Sequence, residues 1–125
     1  MAYQHRYLDG SPLALPVGKV VCIGRNYLDH IRELGHVVPE TPILFIKPAT
    51  ALVGLDEPLS LPTGRGDCHH EVELAVLIGQ ELQNVDAETA RNAVAGYGVA
   101  LDLTLRDLQN ELKSKGHPWE TAKAF

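Results

Sequence analysis

The chain reads as an α+β domain that is mostly β, and three observations lead there. Short apolar runs such as VVCI, ILFI and EVELAVLI are rich in Val, Ile and Leu and bounded by Gly, Pro or Asp. Only three stretches carry the spacing of modest helices, and they do not alternate with the strands as a doubly wound sheet requires. Residues 49–70 are dense in Gly, Pro, Asp and Ser, the composition of loops and edge hairpins.

Taken in order, Lys19 to Ile23 predicts a strand that Gly24 ends. RNYLDHIREL then predicts a helix of about two and a half turns, with Gly35 as its C-cap. Pro39 and Pro42 bracket a loop, and Ile43 to Ile46 reads as a buried strand closed by Lys47-Pro48. Within the loop-rich segment, ALVG and EPLSL are strand-like pieces. His70 to Gly79 is the next strand, apolar on both faces beyond its acidic head, as in a strand covered on both sides. Asp86 can cap a helix over AETARNAVA, which Gly96 ends. Tyr97 to Leu103 forms a strand. Thr104-Leu105-Arg106-Asp107 then has the spacing of a capping box, followed by an apolar stripe of Leu105, Leu108 and Leu112 up to Gly116. GYGVAL lacks the third glycine of a dinucleotide loop and opens no helix.

At 125 residues the chain is one domain, long enough to bury a core. Its net charge of −5 and scattered positives argue against a nucleic-acid surface. No apolar run approaches a membrane span, and the N-terminus has no signal-peptide pattern. Cys22 and Cys68 have no CxxC spacing, so reduced thiols in a cytoplasmic protein are the plain expectation, with Cys22 as strand filler. The ending GHPWETAKAF has neither polar tail nor closing turn, which suggests part of a longer polypeptide.

The chemistry concentrates in Glu71 and Glu73. Two residues apart on a strand, their carboxylates share a face and repel unless a cation intervenes. Asp102, flanked by Leu101 and Leu103, can add a third oxygen ligand, giving a set suited to Mg²⁺ or Mn²⁺. Equally open are a solvated acidic strand face and a buried Asp102 paired with Arg106 or capping the next helix. His30 and Glu33, three apart on the first helix, can form an imidazole–carboxylate dyad or an ordinary surface pair. His70 points away from the acidic face, consistent with a buried or interface histidine, and His5, His36 and His117 have no partner spacing. On their own, Arg25, Lys47, Arg106, Gln109 and Lys123 read as surface residues.

GRNYLDHIRELG, ILFIKP, HHEVELAVLIG, GYGVALDLTLRDLQ and PWETAKAF occur together and in register over nearly the whole chain. Together they resemble the fumarylacetoacetate hydrolase family, in particular its small acylpyruvase / oxaloacetate decarboxylase branch. The resemblance implies that residues 1–125 are the N-terminal part of a single catalytic domain, a mixed β-sandwich roll with short helices that is incomplete at its C-terminus. It implies Glu71, Glu73 and Asp102 as ligands of Mg²⁺ or Mn²⁺, and His30 with Glu33 as a general-base dyad on a lid. Lys123 is implied as a catalytic lysine near the reacting carbon chain, with Arg25, Lys47, Arg106 and Gln109 lining the substrate pocket. Ile23 stands where the animal tyrosine-pathway hydrolase has a fourth carboxylate, which argues against fumarylacetoacetate itself as substrate. The implied activity is on short 2-keto acids: acylpyruvate hydrolysis, oxaloacetate decarboxylation or both, through a shared enolate. The alternatives are oxaloacetate keto–enol tautomerisation and a truncated, non-catalytic metal-binding fragment. A cytoplasmic homodimer is the implied setting, with a small keto acid as the partner and neither nucleic acid nor membrane.

Overall fold

The computed structural model describes residues 3–33, 35 and 37–125, and the side chains of Leu28 and His30 lie outside the described residues. Two antiparallel strand pairs carry the fold. β1 (Val20–Gly24) pairs with β2 (Ile43–Lys47), with Cys22 opposite Phe45. Between them lies the short helix α1 (Leu28–Glu33), and Gly35 follows it at φ 65° as the left-handed C-cap that the sequence predicts. The helix is shorter than expected: Arg25 sits in left-handed backbone at φ 54°, which excludes it from the helix, and α1 begins at Leu28.

The second pair is longer than the apolar runs suggest. β3 (Cys68–Ile78) and β4 (Val94–Leu105) pair along nearly their whole length, with a register slip between Leu77 and Ile78. Gly96, read as a stop, is accommodated inside β4 because Gly adopts extended backbone freely. The helix before β4, α2 (Ala87–Asn92), therefore ends earlier than its composition implies. Its start is as expected: Asp86 accepts a hydrogen bond from the Thr89 N–H at 2.8 Å. In the segment 49–67 a 3₁₀ turn, Ala49–Ala51, replaces the anticipated strand-like pieces.

Helix α3 (Arg106–Ser114) begins directly at the end of β4, and α4 (Glu120–Lys123) is a turn of helix that the sequence reading did not anticipate. The expected capping box does not form. Thr104 is still in the strand, Leu105 occupies the cap without a side-chain hydrogen bond, and Asp107 instead accepts from the Asp67 N–H at 3.3 Å. The Arg106 N–H donates to the Asp67 carbonyl at 2.9 Å, so the loop before β3 closes the start of α3. Gly66 permits this approach: its φ is 76°, and a Cβ there would collide with the Asp107 carboxylate.

The buried apolar side chains among the described residues are Ile31, Ala93, Leu105 and Ala122, a smaller core than the length suggests. The reason is one-sided coverage. Along β3 the side chains alternate, and Val72, Leu74, Val76 and Ile78 are all about half exposed or more. Tyr97 and Val99 of β4 are exposed too. The expectation of a strand covered on both sides is thus corrected for this chain: α3 and α4 cover only the far part of β4. That covered part is where Asp102, Thr104, Gln109 and Lys123 are buried.

Candidate functional site

Strand register assembles the acidic residues. Glu71 lies directly opposite Asp102, Glu73 opposite Ala100, and His69 opposite Thr104, so all six side chains project from one face. Two carboxylates face to face destabilise a sheet unless cations intervene. Here the cations come from three other elements. Lys123 of α4, only 3% exposed, donates to Glu71 Oε2 at 2.7 Å, Asp102 Oδ2 at 2.6 Å and Thr104 Oγ1 at 2.7 Å. Lys47 of β2 lies 2.6 Å from Asp102 Oδ1 and donates to the Leu103 carbonyl oxygen at 3.2 Å. Arg106, the first residue of α3, pairs with Glu71 Oε1 and donates to Gln109 Oε1 at 2.5 Å and His69 Nδ1 at 3.2 Å.

Aromatic packing seats the central lysine. The Trp119 carbonyl accepts from the N–H groups of Ala122 and Lys123, forming the turn of α4. The Trp119 ring lies against Phe45 of β2 with centroids 5.6 Å apart, and the Lys123 ammonium sits 5.0 Å above the Phe45 ring. Phe45 shares a strand face with its register partner Cys22, whose thiol is pushed up by burial and then by the Asp102 charge. Ile23 alternates to the other, half-exposed face of β1.

The electrostatics separate the two glutamates. Burial on its own would raise the Glu71 carboxyl, but the hydrogen bond and charge of Lys123, followed by those of Arg106, hold it down at about 2. Glu73 goes the other way. Burial raises it, the charges of Asp102 and Glu71 raise it further, and a hydrogen bond from the Tyr27 hydroxyl only partly offsets them. Tyr27 connects two elements: its hydroxyl accepts from the Leu74 N–H at 3.3 Å, and its carbonyl accepts from the Ile31 N–H in α1.

The structure therefore brings Glu71, Asp102, Lys47, Arg106, Gln109 and Lys123 into one buried network, with Glu73 at its margin. The reading of the four basic or amide residues as surface groups is corrected, because the carboxylate pair draws them inward. Asp102 is paired with Lys47 and Lys123, while Arg106 is paired with Glu71. Arg25 is half-buried at the end of β1. Glu33 lies on α1 at an exposed position, and the His30 side chain and all of His36 fall outside the described residues. His70 is exposed in this chain, so it is not the buried histidine that was one of the two expectations. Sequence reasoning missed Thr104 and Tyr27 as site residues. Thr104 was recoverable from the two-residue period, since it shares a face with Asp102.

The donor set fits a hard divalent cation in chemistry: three carboxylates and no sulfur or imidazole on the acidic face apart from His69. Asp102 Oδ1, though in charge contact with Lys47, is buried without an aligned hydrogen bond and keeps a lone pair available. Among the described residues, no three acidic, His or Cys side chains converge on a single point, because Glu71 and Asp102 converge on the Lys123 ammonium. That ammonium stands in for part of the positive charge a metal would bring.

Residues 19–125 match the family described as fumarylacetoacetate (FAA) hydrolase C-terminal. The chain is 59% identical over 123 residues to the oxaloacetate tautomerase YcgM of Escherichia coli K12, covering 98% of this chain and 56% of that protein. It is 46% identical over 106 residues to the mitochondrial oxaloacetate tautomerase FAHD1 of Bos taurus, covering 85% of this chain and 48% of that protein. The fold superposes on the crystal structure of fumarylpyruvate hydrolase from Pseudomonas aeruginosa in complex with Mn²⁺ and pyruvate with a TM-score of 0.84. Identity there is 43%, covering 94% of this chain and 52% of that one. The chain thus spans about half the length of the curated relatives it matches. Strand register, the buried acid–base network and the match over residues 19–125 lead to one conclusion: the chain belongs to the fumarylacetoacetate hydrolase family.

Proposed function

We propose that residues 1–125 are the N-terminal part of a single catalytic domain acting on short 2-keto acids with Mg²⁺ or Mn²⁺. The observation that carries this reading is the register pair Glu71–Asp102, with Glu73 two residues along the same face. These three residues would hold the cation, which when bound supplies Lewis acidity to the carboxylate and 2-oxo oxygens of a keto acid. The Mn²⁺- and pyruvate-bound relative supports that assignment.

The chain's own side chains would do the rest. Lys123, Arg106 and Lys47 neutralise the acidic pair and present N–H donors toward an anionic substrate. Gln109, held by Arg106, orients a substrate oxygen. His30, assisted by Glu33 on α1, moves the proton between carbon and water or solvent. For an acylpyruvate the base activates a water that attacks the 4-oxo carbon. Decarboxylation of oxaloacetate needs no water, and its keto–enol tautomerisation needs only a proton transferred. Two relatives named oxaloacetate tautomerase favour tautomerisation as the first activity to test. We place the protein in the cytoplasm as a homodimer. The free thiols of Cys22 and Cys68 support the first part, and the open apolar face of β3 and β4 supports the second.

A turnover panel tests the proposal on the full-length polypeptide. Keto- and enol-oxaloacetate, acetylpyruvate and fumarylpyruvate are offered with Mg²⁺ or Mn²⁺ and with chelator. Metal-dependent turnover of at least one is expected. Failure to turn over any of them with metal would overturn the proposal, and metal-independent turnover would remove the ligand assignment.

A further inference from the structure

The acidic pair finds its cations, but among the described residues two other cations, Lys113 and Arg25, do not find acids. Arg106, Gln109 and Lys113 lie at positions i, i+3 and i+7 of α3, within about 60° of arc, so they form one face of the helix. Arg106 and Gln109 point into the buried network, and Lys113 extends the same face by one further turn. It is half-buried, with its ammonium 5.8 Å from the centroid of the Trp119 ring that begins α4. Among the described residues no carboxylate pairs with Lys113 or with Arg25. Arg25, just past the end of β1, sits in left-handed backbone at φ 54°, and its charge is felt at Lys113. A non-glycine residue held there carries strain that commonly accompanies a functional position.

We propose that Lys113 receives the carboxylate at the far end of a dicarboxylic 2-keto acid and so sets substrate selectivity. This rests on the 2-keto acid reading above and narrows it to substrates with a second anionic end, such as oxaloacetate or fumarylpyruvate, over acetylpyruvate. The surroundings support it. Burial, and then the like charges of Arg25 and Arg106, push the Lys113 ammonium below its ordinary value, with Glu71 only partly offsetting them. An arriving carboxylate would relieve that repulsion, as Lys123 relieves the Glu71–Asp102 pair. Trp119 gives the ammonium a resting place that costs no ion pair to leave.

The test uses the full-length enzyme loaded with Mn²⁺, as wild type, Lys113→Met and Lys113→Arg. For Lys113→Met the KM for oxaloacetate should rise about tenfold, the loss of one charge-assisted contact, with little change in kcat. The KM for acetylpyruvate, and inhibition by oxalate, which has no far end, should stay within about twofold of wild type. Lys113→Arg should restore most of the oxaloacetate affinity. An unchanged oxaloacetate KM, or an equal rise for acetylpyruvate and oxalate, would overturn the inference while leaving the 2-keto acid reading intact. An inactive wild type would strike that reading and this inference together. Should Lys113→Met fail to fold, Lys113→Gln carries the same expectation.

Discussion

Replacing Lys123 by Met removes the one ammonium shared by both carboxylates. Its three hydrogen bonds, at 2.7 Å to Glu71, 2.6 Å to Asp102 and 2.7 Å to Thr104, are lost together. Met keeps the length and most of the volume, so the Phe45 contact persists and cavity formation contributes little. What remains is a charge deficit. Breaking a buried ion pair from one side costs about 3–5 kcal/mol because the other charge stays buried. Here Glu71 keeps Arg106 and Asp102 keeps Lys47, which places the loss near the lower end, about 3 kcal/mol. For a domain of this size that is a fall of roughly 10 °C in Tm. The assay is thermal unfolding followed by circular dichroism, in chelator and again with saturating Mn²⁺. Because a divalent cation can replace the missing charge, Mn²⁺ should raise the Tm of Lys123→Met by more than it raises that of the wild type. A Tm change under 2 °C in chelator, or an equal Mn²⁺ response in both proteins, would refute the reasoning.

Three further outcomes follow from the same geometry. Glu71 has a folded-state value of about 2 against an ordinary 4.5, so its ionised form stabilises the fold above pH 4.5. That contribution, about 2 kcal/mol after solvent screening, should disappear as the pH falls from 4.5 toward 2, and Glu71→Gln should flatten urea titrations over that window. Glu73, raised instead, acts in the opposite sense. Leu105→Ala should cost about 3 kcal/mol in urea unfolding, because Leu105 is fully buried where β4 enters α3. Tyr27→Phe removes only the hydroxyl that holds Glu73 and Leu74, and calorimetry should show Mn²⁺ affinity reduced about tenfold with unchanged Tm.

Much of the fold was legible locally. The apolar runs located the four strands found among the described residues, Asp86 marked the start of α2, and Gly35 marked the end of α1. Strand lengths were less legible, since Gly96 looks like a stop but sits within a paired strand. The two-residue period put Glu71 and Glu73 on one face, yet the register that sets Asp102 against Glu71 is a long-range property with no local signal. The cations were harder still. Lys47, Arg106 and Lys123 have surface composition, and only the carboxylate pair, reached from three separate elements, explains their burial. Thr104 was misread for a related reason: its spacing to Asp107 satisfies a capping box, but its hydroxyl is taken by the network behind it.

The central claim is that the carboxylates on the face shared by β3 and β4 hold a catalytic divalent cation. Asp102 tests it most directly, being nine-tenths buried and opposite Glu71. Calorimetric titration of Mn²⁺ into full-length wild type and Asp102→Ala, paired with oxaloacetate turnover on the same samples, is the decisive measurement. The account predicts stoichiometric binding and turnover in the wild type and neither in the variant. Full turnover by Asp102→Ala without added metal would contradict it.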